Sequence, residues 1–122
     1  KKALSIFSIC FLIWACGDKE TSDPTDNEPG NTSICDSITP NYTDNIAVVM
    51  NNLCTPCHTS STSGGINVSN YSNTKAAAQQ SRFLAAIKHE SGAQAMPQGQ
   101  AKLSDNTIQL IECWIENGFP EN

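Results

Sequence analysis

Apolar residues recur with helical spacing in three parts of the chain. Each part follows the i, i+3, i+4 pattern of a helix that buries one face. The first has its apolar positions at Ile46, Val49, Met50 and Leu53. The second has them at Ala77, Phe83, Leu84 and Ile87. The third has them at Ile108, Ile111, Trp114 and Ile115. Because no segment alternates as a strand does, we predict an all-α fold of about three helices.

Capping residues indicate where these helices begin and end. Hydroxyl side chains that can cap a helix N-terminus precede the three parts: Thr43, Thr74 and Ser104. Residues that end a helix follow the second and third parts: Gly92, Gly118 and Pro120. The segment 59–71 is rich in Ser, Gly and Asn and is predicted to be a loop, with a turn at Gly64-Gly65.

Residues 1–15 have the composition of an export signal. Lys1 and Lys2 precede an uncharged run from Ala3 to Trp14, which is shorter than the roughly 20 apolar residues that span a bilayer. The run 13–16, Ile-Trp-Ala-Cys, resembles the lipobox of bacterial lipoproteins. This resemblance implies that Cys16 becomes the lipidated first residue of an exported protein, anchored to a bacterial membrane and facing the periplasm or the cell exterior. An uncleaved anchor and ordinary signal-peptidase cleavage nearby are the alternatives.

The segment 16–33 after this signal is acidic and lacks aliphatic side chains from residue 18 onward. It cannot bury enough apolar area to offset the entropy of ordering, so we predict a disordered tether. A calcium site is a less favoured use of its carboxylates, because the EF-hand spacing is absent. The domain that folds is therefore expected to span 34–122.

The charge of the chain limits its partners. The whole sequence has a net charge of -5, and from residue 16 onward five basic and twelve acidic residues give -7. The expected domain has only four basic side chains: Lys75, Arg82, Lys88 and Lys102. Because nucleic-acid binding needs clustered Lys and Arg, we exclude DNA and RNA as partners and expect protein partners with basic docking patches.

The clearest chemical signal is the sequence Cys54-Thr55-Pro56-Cys57-His58, the CxxCH pattern of covalent haem attachment. Cysteines three apart on one helical turn lie on the same side, so both sulfurs can form thioethers with one porphyrin. The adjacent His58 can then bind the iron as the proximal ligand. The alternatives are a thioredoxin-like redox pair, which needs a βαβ context, and a zinc site, which would need His89 and one of Cys35 or Cys113.

The other cysteines of the expected domain are Cys35 and Cys113, since Cys10 lies in the signal. In an oxidising compartment the default is a disulfide between them, and the alternative is two separate buried thiols.

The second iron ligand has three candidates: Met50, Met96 and His89. Met50 shares the helix that leads into the haem motif, so we expect it in the core. Met96 lies in the loop 95–99 between the second and third helices, where flexible backbone can approach the ring and Pro97 fixes the direction of the chain, and we predict it as the ligand. His89 is expected to cap its helix, with bis-histidine ligation as the alternative.

Together these residues resemble the class I c-type cytochromes, which have a CxxCH after an N-terminal helix, a distal Met-Pro loop and a C-terminal helix ending with an aromatic residue. The stretch 54–120 is similar to single-haem domains of bacterial exported proteins, in which matching elements occur in this order: Gly64-Gly65-Ile66, Met96-Pro97, Leu103-Ser104, Trp114-Ile115 and Gly118-Phe119-Pro120. The resemblance implies a small cytochrome c-like fold around one covalent haem c, with Trp114 near the haem and the N-terminal helix.

The expected function is electron transfer between exported redox partners, with His58 and Met96 as axial ligands and no enzymatic activity. Thioether ligation would raise the reduction potential above that of bis-histidine haem, and we expect a positive value. A haem enzyme or gas sensor with a displaceable Met96, and a structural lipoprotein without cofactor, are the alternatives.

Overall fold

The computed structural model describes residues 33–59 and 64–122. The predicted signal at 1–15, the lipidation of Cys16 and all of the tether except Ser33 lie outside the described residues. Within the described ranges the regular structure is helical and contains no strand, which confirms the all-α class for this part of the chain. None of the helices in these ranges is long and apolar enough to cross a membrane.

Five α-helices and one π-helical turn make up the regular structure of residues 33–59 and 64–122. In chain order they are α1 (Ile34–Ser37), the π turn (Tyr42–Ile46), α2 (Ala47–Leu53), α3 (Tyr71–Ala78), α4 (Ser81–Lys88) and α5 (Asp105–Glu116). The sequence predicted about three helices in this region. The difference arises from the short helix α1, from the π turn at the start of the first predicted helix and from a break in the middle of the second.

The first predicted helix begins before Thr43, so the expected Thr43 cap is wrong. The side chain of Asn41 caps the π turn by accepting the N–H of Asp44 at 2.7 Å. Thr43 lies inside the turn, and its hydroxyl donates to the carbonyl of Glu121 at 2.8 Å. The π turn continues directly into α2, which buries Met50 as expected.

The second predicted helix is two helices, α3 and α4, and the expected Thr74 cap is also wrong. Asn70 caps α3 by accepting the N–H of Asn73 at 2.9 Å, while Thr74 is fully buried inside the helix. Gln80 adopts an extended conformation (ψ 131°) between α3 and α4. The chain changes direction at this break. Helix α3 then contributes Ala77 and Ala78 to the core, and α4 contributes Ile87.

The third predicted helix, α5, matches its sequence signals. Ser104 caps it by accepting the N–H of Thr107 at 3.2 Å, and Asp105 lies in the first turn as expected. Gly118 follows with a φ of 80°, a left-handed conformation that glycine adopts without steric cost.

Trp114 of α5 lies at the centre of the core and is fully buried. Its indole N–H donates to the carbonyl of Pro120 at 2.9 Å. The ring of Tyr42 packs against it with centroids 6.2 Å apart, and the ring of Phe119 with centroids 5.1 Å apart. Trp114 therefore joins α5 to the π turn and to the chain that follows α5.

A disulfide between Cys35 and Cys113 fastens α1 to α5, as the sequence analysis predicted. The two Cα atoms are 5.3 Å apart and 78 residues apart in the sequence. On the other side, the ammonium group of Lys88 on α4 pairs with the carboxylate of Glu112 on α5. The hydrogen bond that the Lys88 ammonium donates to Glu112 raises the pKa of Lys88, because it stabilises the charged form.

We predict that Cys35→Ala lowers the free energy of unfolding by about 2 to 4 kcal/mol, because the unfolded chain regains the freedom that the cross-link removes. Urea unfolding followed by circular dichroism measures this loss. Reduction with dithiothreitol should destabilise the wild type by a similar amount and leave the variant unchanged. Equal urea midpoints for the variant and the oxidised wild type would contradict the prediction.

We predict that Thr74 stabilises α3 through a buried hydrogen bond and not through capping. Its hydroxyl donates to the carbonyl of Val68 at 3.1 Å. Thr74→Val keeps the shape but leaves that carbonyl without this donor, so it should cost about 1 to 3 kcal/mol in urea unfolding. Thr74→Ser keeps the hydroxyl and should lose less than Thr74→Val. If the serine variant is the less stable of the two, the methyl group and not the hydrogen bond is what matters.

Candidate functional site

A cavity of about 760 Å³, counting its open mouth, lies between the end of α2 and the face of α4. Its lining is mainly apolar and includes Ile66, Val68, Phe83 and Ile87. Three of the predicted site residues also line it: Cys54, His58 and Met96. The structure therefore brings together residues that are up to 42 positions apart in the sequence, as 54 and 96 are.

The CxxCH segment forms a tight turn that continues from α2. The N–H groups of Cys54 and Thr55 both donate to the carbonyl of Met50 at 2.9 Å. The carbonyl of Cys54 then accepts the N–H of Cys57 at 3.1 Å and the N–H of His58 at 2.9 Å. These bonds hold the five residues in a compact turn that is tied to α2 through the carbonyl of Met50, the buried residue of that helix.

The backbone of Ile66 and Val68 holds His58 in place. Its Nδ1 lies 3.4 Å from the carbonyl of Ile66, and the carbonyl of His58 accepts the N–H of Val68 at 2.9 Å. Since a carbonyl only accepts, Nδ1 carries the hydrogen in this contact and Nε2 has its lone pair available for a metal. This is the tautomer that a histidine ligand needs.

Met96 reaches the cavity from the loop that follows α4. Its N–H donates to the carbonyl of Ala86 at 3.0 Å, which ties the loop to the last turn of α4. The residue is half-buried, whereas Met50 is almost completely buried in the core. Of the two methionines, Met96 is therefore the one whose thioether is placed at the cavity.

The two cysteines of the motif differ in exposure. Cys57 is exposed in the turn and is not part of the cavity lining, while Cys54 lines the cavity and is partly buried. Burial raises the pKa of the Cys54 thiol to about 11. A redox-active dithiol needs a lowered thiol pKa, so this environment disfavours the thioredoxin-like alternative.

The zinc alternative required His89 and one of the two other cysteines. Cys35 and Cys113 are bonded to each other, so neither supplies a thiolate. His89 is exposed, and its Nε2 contacts the carbonyl of Met96 at 3.1 Å. Within residues 33–59 and 64–122, no group of three His, Cys, Asp or Glu side chains could hold a metal ion.

The sequence pattern does not indicate several of the cavity residues as site residues. It predicts Phe83 and Ile87 only as part of a core stripe, and they line the cavity as well. Arg82 also belongs to the lining, although its side chain is exposed and its Nε donates to the Oε1 of Gln80 at 3.1 Å. In the sequence, only its position next to Phe83 could have indicated that Arg82 lines the cavity. Trp114, which the family resemblance placed near the haem, packs against the π turn but does not line the cavity.

Comparison of the chain with protein-family models, curated proteins and solved structures finds no match.

We predict that Cys57 of the haem-free protein reacts with iodoacetamide at pH 8 at least about ten times faster than Cys54. A thiol with a raised pKa of about 11 is almost entirely protonated at that pH, and the thiolate is the reactive form. Mass spectrometry of peptides from timed samples measures both rates. In the variant Cys57→Ser the slow rate of Cys54 should remain, and urea should make the two wild-type rates similar. Equal rates in the folded wild type would show that Cys54 is not shielded.

Proposed function

We propose that this chain is a monohaem c-type cytochrome that carries single electrons between exported redox partners. The observation that supports it most strongly is that His58 and Met96 line the same apolar cavity as the first cysteine of a CxxCH motif. A helical domain that places a histidine and a methionine on one cavity has the donor set of a six-coordinate haem. The cytochrome c-like fold expected from the family resemblance is part of this proposal.

The residues that line the cavity, together with Cys57 of the same turn, fit a covalently held haem. Cys54 and Cys57 would form the thioethers, His58 would bind iron through Nε2, and Met96 would bind it through Sδ. The apolar side chains of the lining suit a porphyrin face, and the guanidinium of Arg82 suits the carboxylates of its propionate groups. When bound, the haem supplies an iron centre that accepts and donates one electron.

The protein residues determine how easily that electron is taken up. A thioether from Met96 is a soft ligand that favours the ferrous state, and the apolar lining disfavours the additional charge of the ferric state. The contact between Nδ1 of His58 and the Ile66 carbonyl keeps the imidazole in one tautomer and orientation. The reduction potential should therefore lie above that of a bis-histidine haem, with a positive value.

The partners and location follow from the charge and from the N-terminal segment. A net charge of -7 from residue 16 onward favours weak, salt-sensitive docking to partners with basic patches. Lipidation of Cys16 would confine the domain to a bacterial membrane surface, with the acidic segment 16–33 as its tether. Confinement of this kind increases how often the domain meets partners on the same membrane.

The test is expression of the full chain together with a cytochrome maturation system. We expect sharp c-type absorption bands that survive acid-acetone extraction and a weak far-red sulfur-to-iron band in the ferric form. Met96→Leu should remove the far-red band, lower the reduction potential and open the ferrous iron to carbon monoxide. Met50→Leu is the matched control, because it makes the same change in the core and should leave the far-red band in place.

Three outcomes would contradict the proposal in different ways. A folded, colourless protein from the maturation strain would exclude haem attachment and favour the structural lipoprotein. A far-red band that persists in Met96→Leu would exclude Met96 as the ligand. Rapid carbon monoxide binding to the reduced wild type would favour the haem enzyme or gas sensor instead.

A further inference from the structure

His89 ends α4 in a left-handed backbone conformation, with a φ of 59° and a ψ of 34°. This conformation is uncommon for residues other than glycine, although His, Asn and Asp adopt it more often than most. The next residue, Glu90, donates its N–H to the carbonyl of Ala85 at 2.8 Å, so the helix closes firmly at this point. The chain then turns into the loop that carries Met96.

The imidazole of His89 reaches across this loop to Met96. Its Nε2 lies 3.1 Å from the Met96 carbonyl, and since a carbonyl only accepts, Nε2–H is the donor. The backbone N–H of Met96 donates to the carbonyl of Ala86 on α4 at 3.0 Å. Both backbone polar groups of Met96 are therefore held by the last turn of α4 and by the residue that ends it.

We propose that His89 is a positioning residue for Met96, holding the methionine loop against the end of α4 through this hydrogen bond. The inference rests on the proposed function in assigning Met96 to iron, while the contact itself is a property of the chain. A thioether is a weak ligand that external ligands can displace. If the backbone of Met96 is already fixed, less entropy is lost when its sulfur binds the iron. The hydrogen bond from His89 would therefore favour ligation by Met96 over ligation by an external ligand.

A merely structural role for His89 would have a different basis, namely the fit of its backbone to the left-handed conformation. Two substitutions separate these roles. His89→Asn keeps a residue suited to that conformation, but the side chain is too short to reach the Met96 carbonyl. His89→Gln is less suited to the conformation, but its amide nitrogen is three bonds from Cβ, as Nε2 is in histidine. The two hypotheses therefore predict opposite rankings of the variants.

The first readout is binding of external imidazole to the ferric protein, followed by loss of the far-red band. We expect His89→Asn to bind imidazole about three to ten times more tightly than the wild type, the range set by one intramolecular hydrogen bond. His89→Gln should remain close to the wild type. Met50→Leu provides a control in which methionine is lost from the core and imidazole affinity should not change.

The second readout is hydrogen exchange of the Met96 amide in the full chain as purified. His89→Asn should raise the exchange rate of this amide about three- to tenfold, and His89→Gln should restore it. This measurement does not require haem, so a purified protein without haem would refute the proposed function while the exchange rates still decide the role of His89.

Two results would overturn the inference. One is an unchanged Met96 exchange rate in His89→Asn, with or without a thermal shift, which would show that the hydrogen bond does not hold the loop. The other is a His89→Gln variant that binds imidazole more tightly and exchanges the Met96 amide faster than His89→Asn, because that ranking is the one expected from backbone fit.

Discussion

The arrangement of the domain depends on how two groups of helices are fastened to α5. On one side, the disulfide to α1 and the packing of Tyr42 on Trp114 hold the N-terminal helices. The carbonyl of Pro120, just beyond α5, accepts both the N–H of Tyr42 and the indole N–H of Trp114 at 2.9 Å. On the other side, an ion pair joins α4 to α5. Buried contacts hold both groups, since Ile87 of α4 lies in the same core cluster as Ile111 and Trp114 of α5. The first group has a covalent link in addition, and the second has an ion pair.

The cavity is a consequence of this arrangement, because it lies between the two groups. The turn that contains Cys54 and His58 continues from α2 and is positioned by the carbonyl of Met50, which belongs to the core. The opposite wall comes from α4 and from the loop with Met96, which is tied to the carbonyl of Ala86. The turn is held to α2 and the Met96 loop to α4, in each case by backbone hydrogen bonds.

Three of the four predicted site residues follow from local spacing. Cys54, Cys57 and His58 are neighbours in the chain, so a single turn determines that they lie together. Met96 was predicted from its place in the loop between the second and third predicted helices, and that prediction depended on assuming a haem. Its place on the cavity depends on the path of the chain through α3, the break at Gln80 and α4. The lining positions of Phe83 and Arg82 could not be predicted, because a helix pattern shows which face is buried but not what that face meets.

The sequence by itself determined the features that depend on residues within a turn of one another: the helical class, the cap of α5 at Ser104 and the CxxCH turn. It also allowed the disulfide to be inferred, because only one pair of cysteines remained. Only the tertiary structure decided that Thr74 is buried and not a cap, that the second helix divides at Gln80, and that His89 meets Met96. The physical reason is that a capping bond joins residues three positions apart, so the sequence offers candidates for it. Which candidate is used, which residues are buried and which loops touch depend on segments that only the folded chain brings together.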